Sequence, residues 1–224
     1  MKTEKKILLF VFVTLFVFGQ SASAFDDGDF QYWFNVGASA DISKNWKVTA
    51  QEEFRLGDDA KRLYYHHWDV GFVYGGFADW LDMGFGYRHI YQRDSGGFGD
   101  WRQEQSPYLT LTLKGKIFDM PVSNTSRFEY RDLEKDKDHV RYRNKTTLKF
   151  PLKLTPLNLQ PYIADEIFIS SNGLGLSGNR FFAGFTLELL KGINGDIYYM
   201  LQSMEARSGW NDTNVIGTAL KIAF

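Results

Sequence analysis

The sequence predicts an all-β fold, an antiparallel transmembrane β-barrel of ten or twelve strands preceded by a cleaved signal peptide. Three observations carry that expectation: an export-type N-terminus, a succession of segments alternating in polarity, and a final segment that closes on an aromatic residue.

The N-terminus comes first. Lys2, Lys5 and Lys6 precede an apolar run from Ile7 to Phe18, and Ser21-Ala22-Ser23-Ala24 follows. Ala22 and Ala24 occupy the two positions where a signal peptidase requires small side chains. The run is shorter than the roughly 20 residues of a membrane-spanning helix, so cleavage after Ala24 is expected in preference to an uncleaved anchor. Residues 1–24 are then the signal peptide and 25–224 a single barrel domain.

The 224 residues contain no cysteine. A lipoprotein anchor, disulfide staples and thiolate chemistry are thereby excluded. No second apolar run approaches the length of a membrane helix. An exported chain of this kind is either soluble in the periplasm or inserted as a closed barrel, the other spanning structure lipid permits. The C-terminus points to the barrel: Ile216, Leu220, Ile222 and Phe224 share one strand face. Leu220, Ile222 and Phe224 are expected to form the signal read by the outer-membrane assembly machinery. Aromatics reach 17% of residues, in keeping with interfacial girdles. A formal net charge of −1 gives no sign of nucleic-acid binding.

Between the ends, period-2 polarity marks eleven segments, near 29–41, 46–56, 62–75, 80–93, 101–115, 122–134, 139–153, 159–171, 178–190, 195–205 and 212–224. Their length suits the 9–11 residues of a tilted lipid-spanning strand. Pairing 62–75 with 80–93 so that Tyr74 opposes Leu81 places Tyr64, His66, Trp68, Val70 and Phe72 on one apolar face. The same register turns His67, Asp69, Asp82, Arg88 and Gln92 to the other. Short turns at 76–79, 119–121, 155–158 and 191–194 read as periplasmic. Links at 94–100, 134–138, 170–178 and 206–212 read as extracellular. Eleven segments conflict with the even strand number of bacterial single-chain barrels. Residues 25–41 are therefore expected to form a hairpin, giving twelve strands, or to lie as an inward or periplasmic segment of a ten-stranded barrel.

The inward face is strongly ionic. Glu53, Arg55, Arg88, Arg102, Glu104, Arg127, Glu129, Arg131, Arg141, Arg143, Lys145, Glu166, Arg180 and Glu188 are expected to form a lumen charge network. Alternation such as Arg127-x-Glu129-x-Arg131 lets neighbouring strands interlock guanidinium and carboxylate groups. A barrel of ten or twelve strands has little spare interior, so a filled or narrow lumen is expected over an open channel. Adjacent Asp165 and Glu166 resist simple alternation: one must face lipid unless a β-bulge turns both inward. Glu52 poses a milder form of the same conflict.

The sequence offers little catalytic chemistry. His66 and His89 suggest a lipid-acyl hydrolase at the outer leaflet, but no serine stands at their level to act as nucleophile. No catalytic residues, metal or cofactor are expected. Asp132, Glu134, Asp136 and Asp138 are interleaved with Lys135 and Lys137 and read as a solvated loop rather than a Ca²⁺ site. Gly173, Gly175 and Gly178 match G-x-G-x-x-G without the helix a dinucleotide site needs. Asn124-Thr125-Ser126 and Asn144-Lys145-Thr146 match glycosylation acceptors but fall within strands.

Short motifs spread over nearly the whole mature chain carry a resemblance. They are Trp33; Glu53-Phe54-Arg55; Gly86-Tyr87-Arg88; Arg127-Phe128-Glu129-Tyr130-Arg131; Arg141-Tyr142-Arg143; Pro161-Tyr162 leading to Asp165-Glu166; Asn179-Arg180; and Tyr199-Met200-Leu201-Gln202. In this order they resemble the DUF2490 family of bacterial outer-membrane barrel proteins. The resemblance implies a barrel of unassigned role and supplies no catalytic residues. The expected protein is non-enzymatic and resides in the outer membrane of a Gram-negative bacterium. Its expected partners are outer-membrane lipids with their lipopolysaccharide leaflet, the assembly machinery, and, for a restricted pore, a small solute. The rival readings are a lipid-modifying barrel enzyme and a soluble periplasmic β-sandwich.

Overall fold

A computed structural model describes residues 28–93, 99–152, 155–172, 175–206 and 209–224. The signal-peptide segment, with Ala22 and Ala24, lies outside the described residues.

Period-2 patterning builds eleven strands: β1 (Asp29–Asp41), β2 (Trp46–Gly57), β3 (Arg62–Ala78), β4 (Leu81–Arg93), β5 (Trp101–Ile117), β6 (Met120–Leu133), β7 (His139–Lys149), β8 (Gln160–Ser170), β9 (Gly175–Leu190), β10 (Ile193–Ala206) and β11 (Gly209–Ala223). Each strand pairs antiparallel with its successor, and the sheet closes on itself through β1 and β11. The expectation of ten or twelve strands is thus corrected to eleven. In an odd up-and-down barrel the first and last strands run the same way, so the seam must be parallel. β1 and β11 are parallel from Asp29↔Thr213 to Ser39↔Ala223. Residues 29–41 are neither a hairpin nor an interior segment.

The seam gives a direct prediction. With no native cysteine, a Val36→Cys/Leu220→Cys pair, which is in register across the seam, cross-links under mild oxidation or with a short bifunctional thiol reagent. The out-of-register pair Val36→Cys/Ile216→Cys does not. Absence of the first product in folded protein would remove the seam.

Strand direction sorts the connections. β2, β4, β6, β8 and β10 finish at one end of the barrel, the loop end; β1, β3, β5, β7, β9 and β11 finish at the other, the turn end. Phe118 and Asp119, both with positive φ (48° and 64°), close the β5–β6 hairpin as a two-residue type I′ turn.

Side chains alternate between lumen and outer wall. In β3, Tyr65, His67 and Asp69 are buried inside while Trp68 and Val70 are exposed outside. Phe85, Leu109, Phe128 and Phe181 continue the exposed apolar wall. The β3–β4 register differs by two residues from the sequence expectation: Tyr74 opposes Met83, and Trp68 opposes His89. An irregularity between Tyr74 and Ala78 absorbs the extra residues. A slip of two exchanges partners but keeps both faces, because side chains repeat every second residue. Tyr64, by contrast, leaves the outer face. Arg55 pairs with Tyr65 and Leu56 with Leu63, so Tyr64 is the extra residue of a bulge and is buried beside Tyr65.

No bulge rescues Asp165. Glu166 is buried in the lumen, and the nearest irregularity in β8 falls between Phe168 and Ile169. Asp165 faces out, accepting a hydrogen bond from Asn179 at 2.9 Å. Beside it, Asn124 donates to Asn144 and Thr146, both at 2.8 Å, giving the outer wall a polar patch across β6–β9. Glu52 also faces out, 3.6 Å from His66.

Glycines make room for lumen rings. A Cβ at Gly86 would occupy the space of the Tyr108 ring, and one at Gly217 that of Tyr198.

Candidate functional site

The lumen gathers the chemistry. On its inner face Asp69 accepts hydrogen bonds from Arg88 Nε at 2.9 Å and Tyr108 Oη at 2.5 Å. Glu129 takes Arg141 Nε at 2.7 Å and Arg143 Nη1 at 3.0 Å. Glu166 takes Arg143 Nη2 at 2.7 Å and Arg180 Nη1 at 3.3 Å. Arg143 therefore bridges two carboxylates, and Glu129 holds two arginines. Nearer the loop end, Glu104 accepts both prongs of Arg131, at 2.7 and 2.6 Å, and the Ser106 hydroxyl at 2.6 Å. Glu53 pairs with Arg55 at 2.6 Å.

Aromatic rings interleave with these guanidinium groups. Arg55 lies 3.6 Å from the Trp33 ring centroid and 3.9 Å from that of Tyr65. Arg180 lies between Trp33 and Phe168, at 4.9 and 4.7 Å. Arg143 flanks Phe168 from the other side at 5.1 Å. The stack Tyr65–Arg55–Trp33–Arg180–Phe168–Arg143 runs around the inner wall from β3 through β1 to β7. Phe168 and Glu129 are each 1% exposed, so the ring and the carboxylate at the centre of this waist are packed rather than wet. Packing cations against ring faces adds attraction that strengthens on desolvation.

Space remains on either side of the waist. A loop-end vestibule of about 750 Å³ is lined by Arg93, Arg102, Arg131, Glu134, Asp136 and His139, among others. A second cavity, of about 320 Å³, opens between the waist and the turn end beside Gln51, Thr125, Lys145 and Tyr198.

Twelve of the sequence-identified charges line the lumen: Glu53, Arg55, Arg88, Glu104, Arg127, Glu129, Arg131, Arg141, Arg143, Lys145, Glu166 and Arg180. Two stand apart. Arg102 sits in the vestibule, 3.4 Å from the exposed Asp136. Glu188 is exposed at the turn end, where Asn158 donates to it at 2.8 Å. The lumen also holds rings that the expected charge network does not include. Trp33, Tyr65, Tyr108 and Phe168 share strand faces with Gln31, His67, Ser106 and Glu166, and that alternation was the available signal.

The histidines divide. His67 is buried in the lumen, 3.2 Å from the Gln51 amide nitrogen. His66 and His89 face outward but do not oppose one another. His66 pairs with Tyr91 and stacks on it at 4.7 Å. His89 stacks on Trp68 at 5.6 Å and contacts the Tyr87 hydroxyl and Gln103 Oε1, both at 3.1 Å. Among the described residues, no serine hydroxyl bonds to either ring. In the loop after β6, Asp138 accepts from the Leu133 backbone N–H and the Tyr130 hydroxyl, both at 3.0 Å. The backbone bond first, then the hydroxyl, holds its carboxyl below the ordinary aspartate value. Stabilisation from this contact is complete above the ordinary value and is lost as pH falls through the lowered one. Gly175 opens a strand, so the glycine motif has no helix behind it.

The sequence model of a protein family described as "Protein of unknown function (DUF2490)" matches residues 30–214. No curated protein and no solved structure matches the chain.

Proposed function

The chain belongs to the DUF2490 family, and from that premise we propose that it is a non-enzymatic outer-membrane β-barrel of a Gram-negative bacterium, its lumen closed at the waist by the ionic–aromatic network. The observation that carries this reading is the polarity of the wall: charges are buried inside, while Trp68, Val70, Phe85, Leu109 and Phe181 are exposed outside. That inversion suits lipid outside and a polar interior. A soluble β-sandwich would instead bury those faces against a second sheet.

In this reading the turn end faces the periplasm, and the loop end meets the lipopolysaccharide leaflet. The outward rings of His66, Trp68, Tyr87, His89 and Tyr91 then lie at a membrane–water boundary, where amphipathic rings are favoured. Their imidazoles are occupied by stacking and by glutamate, glutamine and tyrosine contacts. This supports a girdle rather than the hydrolase alternative. Leu220 and Ile222 on β11, with Phe224 beyond it, are offered to the assembly machinery. A signal peptide ending at Ala24 would deliver the chain to the periplasm. The filled waist makes the protein a sealed or narrowly restricted element of the membrane rather than a diffusion pore.

Expression of the full chain in a Gram-negative host, followed by separation of the two membranes and the osmotic-shock fluid, tests the proposal. The chain partitions with the outer membrane and migrates faster in unheated than in heated detergent gels. Recovery in the shock fluid would defeat it. A second outcome reads the wall itself. Asp165→Ile restores an unbroken row with Ile163, Ile167 and Ile169 and raises stability in lipid by about 1 kcal/mol or more, since outward carboxylates are unfavourable there. A loss of stability in lipid would place that face outside the bilayer.

A further inference from the structure

Charges around the turn-side cavity do not balance. Among the described residues, seven cationic side chains line it against three carboxylates, Glu53, Glu166 and Asp196. Asp69 and Glu129 supply two more carboxylates from deeper in the wall, through Arg88 at 2.9 Å and Arg143 at 3.0 Å. Pairing Arg55 with Glu53, Arg180 with Glu166 and Lys221 with Asp196 engages the remaining carboxylates. Five carboxylates thus serve five cations, and Glu129 is further shared with Arg141.

Two cations are left over, Arg127 and Lys145. Arg127 Nη1 is buried without a hydrogen-bond partner. Its nearest carboxylates, Asp69 at 3.7 Å and Glu129 at 3.8 Å, are already bonded to other groups. Lys145 Nζ rests 3.7 Å from the Phe182 ring centroid and, among the described residues, has no carboxylate at ion-pair distance. The β6–β7 register pairs Arg127 with Arg143 and Thr125 with Lys145. Arg127 and Lys145 are therefore diagonal neighbours on the inner face, with backbones about 7–8 Å apart. That gap suits one compact ion touching both. Asn35, Gln51 and Thr125 bring neutral hydrogen-bonding groups to the same cavity.

We propose that this cavity binds a compact oxyanion of the phosphate class, held between Arg127 and Lys145. A guanidinium presents parallel donors that match two oxygens of a tetrahedral anion, while an ammonium adds a point charge. Two excess positive charges favour an anion able to carry more than one negative charge. The volume of about 320 Å³ exceeds what inorganic phosphate fills, so a small phosphomonoester also fits. Lys221 lines the cavity at the turn end with its side chain 56% exposed, so such an anion can enter beside it without passage through the waist. The site goes beyond the proposed function, since it depends on the lumen and not on the bilayer.

Equilibrium dialysis of the refolded full chain in detergent against radiolabelled inorganic phosphate, at fixed ionic strength, decides the matter. One saturable site is expected. Lys145→Gln weakens it about tenfold or more, the loss of roughly one charge-assisted hydrogen bond, and Arg127→Gln does likewise. Lys114→Gln, whose lysine pairs with Asp82 at 2.8 Å away from the cavity, leaves binding unchanged. Each variant is accepted only with wild-type circular dichroism and heat-modifiable mobility. Non-saturable binding to the wild-type chain, or wild-type affinity in folded Lys145→Gln, would overturn the site. Recovery of the chain outside the outer membrane would defeat the localisation and leave this result standing.

Discussion

Replacing Glu129 with alanine lowers the stability of the folded barrel by about 3–5 kcal/mol, the cost of breaking a buried ion pair from one side. Glu129 is 1% exposed and accepts from both Arg141 and Arg143. Its loss leaves Arg141 without its bonded carboxylate and Arg143 with Glu166 alone, while Arg127, already 3.8 Å from Glu129, loses that attraction too. Buried charges are poorly screened, so added salt does not restore the loss. Glu129→Gln, which keeps the shape and one acceptor oxygen, costs less than the alanine variant. Lys116→Ala, on an exposed lysine, stays within about 0.5 kcal/mol of wild type. Guanidinium unfolding of the lipid-refolded chain measures all three. An alanine variant as stable as Lys116→Ala would mean that the waist network contributes nothing to the fold.

Trp33→Ala carries the second large effect, a loss of about 3–5 kcal/mol for a buried indole, together with a change in permeability. Trp33 is 3% exposed, stands between Arg55 and Arg180, and donates its indole N–H to Gln31 Oε1 at 2.9 Å. Truncation removes one ring from the waist stack and frees both guanidinium groups from it. The variant, stabilised in lipid, passes ions that the wild-type chain excludes. Phe168→Ala acts in the same direction, because Phe168 lies against Arg141, Arg143 and Arg180. Liposome swelling or single-channel recording detects the change. Unaltered permeability in both variants would show that the rings are not what fills the waist.

How far the sequence reveals this arrangement depends on the range of each determinant. Alternation along one strand is local, and it places Arg127, Glu129 and Arg131 on one face without knowledge of any partner. Strand boundaries are legible for the same reason. The seam is not local: Asp29 meets Thr213 across nearly the whole chain, and nothing near either residue signals a parallel neighbour. The even-number rule, set above the eleven visible segments, therefore gives the wrong strand count. Bulges hide equally well, since alternation carries no marker for an extra residue; Leu63, Tyr64 and Tyr65 read as a plain strand. Rings are ambiguous in themselves. Trp33 in the lumen and Trp68 on the outer wall are chemically identical, and only the charge of their same-face neighbours separates them. The two cations without carboxylates of their own, Arg127 and Lys145, emerge only when pairing across the neighbouring strands is known.

A closed barrel filled at its waist carries no steady ion current, and single-channel recording of the refolded wild-type chain in a planar lipid bilayer tests this most directly. The prediction is protein that inserts, shown by protection of its strands from protease, yet gives no steady conductance. Reproducible, long-lived openings of the wild-type chain would contradict it.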